Sequence, residues 1–97
     1  MILSFGNRAT ADLFHGLESA HVRRLPREVR ELALLKLDVL NAAQSLNDLR
    51  SPPGNRLEQL KGDRAGFHSI RINRQWRLVF RWENANAHDV QIVDYHR

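Results

Sequence analysis

The spacing of hydrophobic positions changes near residue 51, dividing the chain into a helical half and a strand half. Ile2-Leu-Ser-Phe5 is short and apolar and predicts an opening strand. Asn7 suits the N-cap of a short helix over Arg8–His15 that carries Leu13 and Phe14 inward, with Gly16 as its stop. Pro26 in a first turn and Glu28 at the positive dipole end open a second helix. Within it Val29, Leu32, Ala33, Leu37, Leu40 and Ala43 keep helical spacing, while Arg30, Glu31, Lys36 and Asp38 take the wet side. Ser45-Leu-Asn-Asp48 has the form of a cap for one further turn. Ser51-Pro-Pro-Gly-Asn55 breaks the pattern and reads as a loop.

Beyond that loop the period falls to two. Arg56–Leu60 predicts a strand stopped by Lys61-Gly-Asp63, and Phe67–Ile72 a second, with Asn73-Arg74 as a tight hairpin connection. Over Gln75–Trp82 the residues Trp76, Leu78, Phe80 and Trp82 share one face, and Arg77, Val79 and Arg81 the other. Glu83-Asn-Ala-Asn86 turns the chain into a last strand, His88–Tyr95, where Val90 and Ile92 alternate with Asp89 and Gln91. Short hairpins force antiparallel pairing, so the order β-α-α-β-β-β-β gives an α+β fold with two helices packed on one face of an antiparallel sheet. Trp76 and Phe80 read as core rather than as stacking platforms; Trp82, near a strand end, suits either use.

Composition narrows the class. At 97 residues, with 42% hydrophobic and 27% charged residues, residues 1–97 make a single globular domain rather than a disordered or fibrous chain. No apolar run approaches the roughly 20 residues that cross a bilayer, and Met1–Gly6 lacks the form of a secretion leader. A cytoplasmic protein with no membrane partner is expected. With no Cys, a disulfide framework, a thiolate zinc site and a cysteine nucleophile are excluded.

Charge adds a direction. The net charge is +4, and 13 of the 15 basic residues are Arg, whose planar fork suits phosphate better than the Lys point charge. Residues 1–50 balance at +1, whereas residues 56–81 reach +5 through Arg56, Lys61, Arg64, Arg71, Arg74, Arg77 and Arg81. Such concentration fits a face that binds a polyanion. Arg77 and Arg81, four apart on a strand, project the same way about 13 Å apart.

The end of the chain, Asp94-Tyr95-His96-Arg97, gathers groups that move protons or stabilise charge; His96 suits general acid or base work near neutral pH. The His at 15, 21, 68, 88 and 96 show no metal-ligand spacing, and neither a phosphate-cradling Gly-rich loop nor a nucleophile elbow is present. No metal and no cofactor is expected. Phosphodiester cleavage without a metal is open to an enzyme acting on RNA, whose 2′-OH is a built-in nucleophile.

These residues form an ordered series. Met1-Ile-x-Ser-Phe5, Asp12-Leu-Phe14 with Gly16, Leu40-Asn-Ala-Ala43, Arg56-Leu-x-x-Leu-Lys-Gly-Asp-Arg64, Gly66-Phe-x-Ser-Ile70, Trp76-Arg-Leu-x-Phe80 and Asp94-Tyr-His96 are collinear over essentially the whole chain. The series resembles the HigB branch of the RelE/ParE toxins, also called plasmid-maintenance killer proteins. The resemblance implies a RelE-like domain acting as the toxin of a type II toxin–antitoxin pair, which cleaves mRNA in the ribosomal A site. Its implied partners are the ribosome with its mRNA and a HigA-like helix-turn-helix antitoxin, through which alone it meets operator DNA. Carried over residue by residue, the implied catalytic set is Asp94, Tyr95, His96 and Arg77, with RNA contacts expected from Arg56, Lys61, Arg64, Arg74 and Arg81.

One position departs from the pattern. Some relatives carry a His where Glu58 stands; Glu58 is then a base, a spectator or a mark of reduced activity. Arg97 extends the usual Asp-Tyr-His end. Two other readings stay open: a ParE-like toxin that inhibits DNA gyrase without cleaving, and a non-catalytic module whose Arg-rich sheet grips RNA or an acidic protein. The Asp94-Tyr95-His96 end favours the nuclease, since an inhibitor that works by binding needs no proton-transfer group.

Overall fold

Asn7 caps the first helix as its residue type favours: its side-chain oxygen accepts from the Thr10 backbone N–H at 3.0 Å and from the Thr10 hydroxyl at 2.7 Å. The structure, a computed structural model, describes residues 1–95. Helix α1 spans Arg8–Phe14 and ends at Gly16 with φ +74°. A short α2, Ala20–Arg23, follows; it was not expected, although Ser19 caps it by accepting from Val22 N–H at 3.2 Å. Helix α3, Arg27–Ala42, buries Val29, Ala33, Leu37 and Leu40. Leu32, expected inside, is 38% exposed because it lies about 100° around the helix from Ala33. Asp48 completes a capping box over a 3-10 turn, Leu46–Arg50. Its carboxylate accepts from the Gln44 and Ser45 N–H groups, the Gln44 bond foremost in holding it below the usual carboxylate range.

The second half forms one antiparallel sheet in the order β1-β2-β3-β4: β1 Glu58–Gln59, β2 Phe67–Arg71, β3 Trp76–Glu83 and β4 Asn86–Asp94. Strand β1 is shorter than Arg56–Leu60, since Pro53–Asn55 forms a 3-10 turn and Arg56 leaves it in a left-handed conformation, φ +45°. The expected opening strand reduces to isolated parallel bridges, Ile2–Ala87 and Phe5–Val90, at the free edge of β4. A bulge in β4 interrupts any continuous ladder between them. Val79 pairs with Gln91 but Arg81 with His88, and Asp89 takes φ +52°. The bulge resets the alternation, so that Ala87, Val90 and Ile92 all face the core. Gly6 passes so close that a Cβ there would meet the Asp89 carbonyl oxygen at 2.9 Å.

The helices cover one face of the sheet, where Ile70, Leu78, Phe80, Val90 and Ile92 meet α3 and Leu49. Trp82 sits edge-on to Phe80, its ring centroid 6.4 Å away, and packs against this core, as does the half-buried Trp76 near the other end of β3. The fold is α+β, as the residue pattern predicts, with three helices on a four-stranded antiparallel sheet in place of two helices and five strands.

Candidate functional site

The hairpin between β2 and β3 decides which arginines meet. The expected two-residue turn at Asn73-Arg74 would set Arg71 opposite Trp76. Instead Ile72 pairs with Trp76 across a three-residue connection, and the Asn73 side chain accepts from the Gln75 and Trp76 N–H groups, each at 2.8 Å. Arg71 therefore stands opposite Arg77, and Ile70 opposite Leu78 in the core. One register step brings Arg71 to the site face.

Arg77 is the centre of that face. Its Nε donates to Ser69 Oγ at 2.8 Å, its Nη2 to the Arg56 carbonyl oxygen at 2.6 Å, and its Nη1 lies 3.4 Å from Glu58 Oε1. The Tyr95 ring centroid is 6.0 Å from the guanidinium carbon, the outer range of a cation–π contact. The Arg77 side chain is only 12% exposed. Ser69 and Val79 on the same face are fully buried. The Arg-bearing face is thus not the open platform that alternation alone suggests, because the turn before Arg56 folds back against β2. A long, charged side chain held by three partners cannot swing, so its direction is fixed before any ligand arrives.

Around Arg77 lies an open cleft of about 660 Å³ lined by Arg56, Glu58, Arg71, Asn73, Arg74, Gln75 and Tyr95. Four guanidiniums against one carboxylate give the cleft a strongly positive lining; among the described residues no acid pairs with Arg56, Arg71 or Arg74. The donor set suits phosphate oxygens rather than a metal cation, and no cluster of three metal-ligating side chains occurs among the described residues.

Of the expected residues, Arg56, Glu58, Arg74, Arg77 and Tyr95 converge here. Asp94 stands at the cleft's edge, its carboxylate accepting from Gln75 Nε2 at 3.1 and 3.3 Å, while the Tyr95 N–H donates to the Gln75 carbonyl at 2.6 Å. Arg81 lies apart, paired with Asp89 and Glu83. Lys61 and Arg64 sit at a 3-10 turn, Gly62–Arg64, outside the cleft lining. His96 and Arg97 lie outside the described residues. Arg71, Asn73 and Gln75 were not among the expected site residues. The core residue Ile70 held the signal for Arg71: it must oppose a core residue on β3, and only the longer turn allows that.

Comparison with known proteins gives the family and the fold. The family model for the RelE-like toxin of type II toxin–antitoxin system HigB matches residues 4–96. Toxin HigB-1 of Vibrio cholerae serotype O1 is 48% identical over 65 residues, covering 67% of this chain and 68% of that protein. Endoribonuclease HigB of Proteus vulgaris is 29% identical over 96 residues, covering 99% of this chain and 100% of that one. In fold, the chain superposes on a chain of the YoeB–YefM complex from Staphylococcus aureus with a TM-score of 0.61 at 15% identity, covering 100% of this chain and 99% of that one. This chain belongs to the HigB family of RelE-like toxins of type II toxin–antitoxin systems.

Proposed function

We propose that the cleft around Arg77 cleaves mRNA on the ribosome by attack of the RNA's own 2′-OH, with no metal taking part. The observation that carries this reading is the half-buried, three-way-anchored Arg77 guanidinium set among further arginines, beside a carboxylate and a phenol. The name of the Proteus vulgaris relative, Endoribonuclease HigB, supports the reaction class.

A base removes the 2′-OH proton, and the freed oxygen attacks the adjacent phosphorus in line. The bond to the 5′-oxygen breaks, and an acid protonates that oxygen. The products are a 2′,3′-cyclic phosphate and a 5′-hydroxyl. Arg77 fits the role of stabilising charge on the non-bridging oxygens, because a fixed donor needs no reorganisation as charge develops. Arg56 and Arg74 extend the grip along the backbone, Lys61 and Arg64 are assigned to its outer contacts, and Arg81 stays paired with Asp89 and Glu83. Glu58, beside Nη1, and His96, next in sequence to Tyr95, are the proton-transfer candidates. Tyr95 orients the phosphate, and Asp94 fixes the end of the strand through Gln75.

The setting is a cytoplasmic toxin held in check by a HigA-like helix-turn-helix antitoxin, through which alone it meets operator DNA. Among the described residues no helix is long and apolar enough to cross a membrane. The test is induced expression of wild type, Arg77→Ala and His96→Ala with mapping of mRNA 5′ ends. Cuts within translated codons that vanish in both variants are expected. Growth arrest with intact messages would instead favour gyrase inhibition, or a module that only binds.

A further inference from the structure

Arg56, from which Arg77 takes one of its anchors, occupies a left-handed conformation that a residue with a side chain enters only when its surroundings hold it there. The residue before it supplies the hold. Asn55 is fully buried, and its amide nitrogen donates to the carbonyls of Leu49 at 3.1 Å and Ser51 at 3.2 Å. Its side-chain oxygen accepts from Lys36 Nζ on α3. Leu49 is itself locked in the core. A buried amide with both ends satisfied has a single orientation. The path therefore runs from α3 and the core through Asn55 to the Arg56 carbonyl, and from there to Arg77 Nη2.

We propose that Asn55 is a positioning residue for Arg77, acting through the Arg56 backbone and held on its far side by Lys36. Asn55 does not line the cleft. The proposal rests on the reading of Arg77 as the phosphate-facing cation, but its first test does not depend on cleavage.

That test is the ¹H–¹⁵N signal of the Arg77 Nε–H in the full chain, assigned by its loss in Arg77→Ala. Asn55→Asp keeps the shape and the oxygen facing Lys36 while removing both donors. Lys36→Met loosens the same amide from the helix side and serves if Asn55→Asp does not fold. With far-UV circular dichroism unchanged, the Arg77 Nε–H is expected to shift and to exchange about tenfold faster than in wild type. An unmoved signal in a folded variant overturns the proposal. The second readout is a cycle on single-turnover cleavage of mRNA in translating ribosomes. Asn55→Asp is expected to slow wild type by roughly 10- to 100-fold, but the Arg77→Ala background by less than about threefold. Equal losses in both backgrounds would show a general structural role and overturn it. An altered Arg77 signal in a chain that cleaves no mRNA on translating ribosomes would refute the nuclease reading and leave the positioning role standing.

Discussion

Arg81 Nε donates to Asp89 Oδ2 at 2.7 Å, and this bond sets Arg81 apart from Arg77, four residues away on the same face of β3. The β4 bulge at Asp89 is what aims the carboxylate, and Glu83 adds a second contact at 3.3 Å. The Asp89 bond is the foremost cause holding the Arg81 guanidinium more firmly protonated than usual. Two arginines equivalent by alternation thus play unequal parts: one is neutralised on its own hairpin, the other is anchored in the cleft.

Salt dependence separates the two. Arg77→Ala is expected to reduce the slope of log affinity for RNA against log salt by about one, as the loss of one phosphate contact requires. Arg81→Ala is expected to change the slope by less than about half that. Equal changes would mean that RNA draws Arg81 away from Asp89.

The β3–β4 turn carries Asn84 at φ +52° and Ala85 at φ +62°, the pattern of a type I′ hairpin. Alanine is strained there and glycine is not. Ala85→Gly is expected to raise stability by about 1 kcal/mol, offset in part by the freer unfolded chain. A urea midpoint that falls would contradict this.

Thr10 joins α1 to the sheet. It is fully buried, and its hydroxyl donates to Asn7 Oδ1 and accepts from the Ile92 N–H at 2.9 Å. Thr10→Val keeps the shape but strands the Ile92 N–H, while Asn7 Oδ1 keeps the backbone N–H of residue 10; the expected cost is about 2 kcal/mol in urea unfolding. A neutral result would mean that another group bonds the Ile92 N–H.

His68 stacks on Phe80 with ring centroids 6.0 Å apart, and desolvation lowers its pKa below the ordinary 6.5. The unfolded chain therefore takes up this proton at a pH where the folded chain still resists it. The contribution of His68 to stability is complete above about 6.5 and declines as pH falls below it. Urea midpoints measured between about pH 7.5 and 5.5 should fall more steeply for wild type than for His68→Gln. Parallel curves would show that the burial has no such consequence.

Much of this architecture was legible in residue order. Asn7, Pro26 and Ser45 marked helix and turn starts, and the Trp76–Trp82 alternation assigned the faces of β3. What hydrophobic pattern missed was set by side-chain bonds in turns and by pairing across strands. The longer hairpin depends on Asn73 accepting two N–H groups, and the bulge at Asp89 depends on pairing across two strands. The shielding of Arg77 depends on Arg56, 21 residues upstream. Arg56, Arg77 and Tyr95 could be gathered from the motif series, Glu58 from its departure there and Arg74 from the charge of residues 56–81, whereas Arg71 and Gln75 join the cleft only through register.

The central claim is that this cleft uses the RNA's own 2′-OH as nucleophile. The most direct measurement supplies purified chain and translating ribosomes with an mRNA carrying one 2′-deoxynucleotide immediately 5′ of the mapped cut. This site is expected to stay intact, while the all-ribose message is cut to a 2′,3′-cyclic phosphate and a 5′-hydroxyl. Cleavage at the deoxy position, or a 3′-hydroxyl end on the all-ribose message, would contradict it.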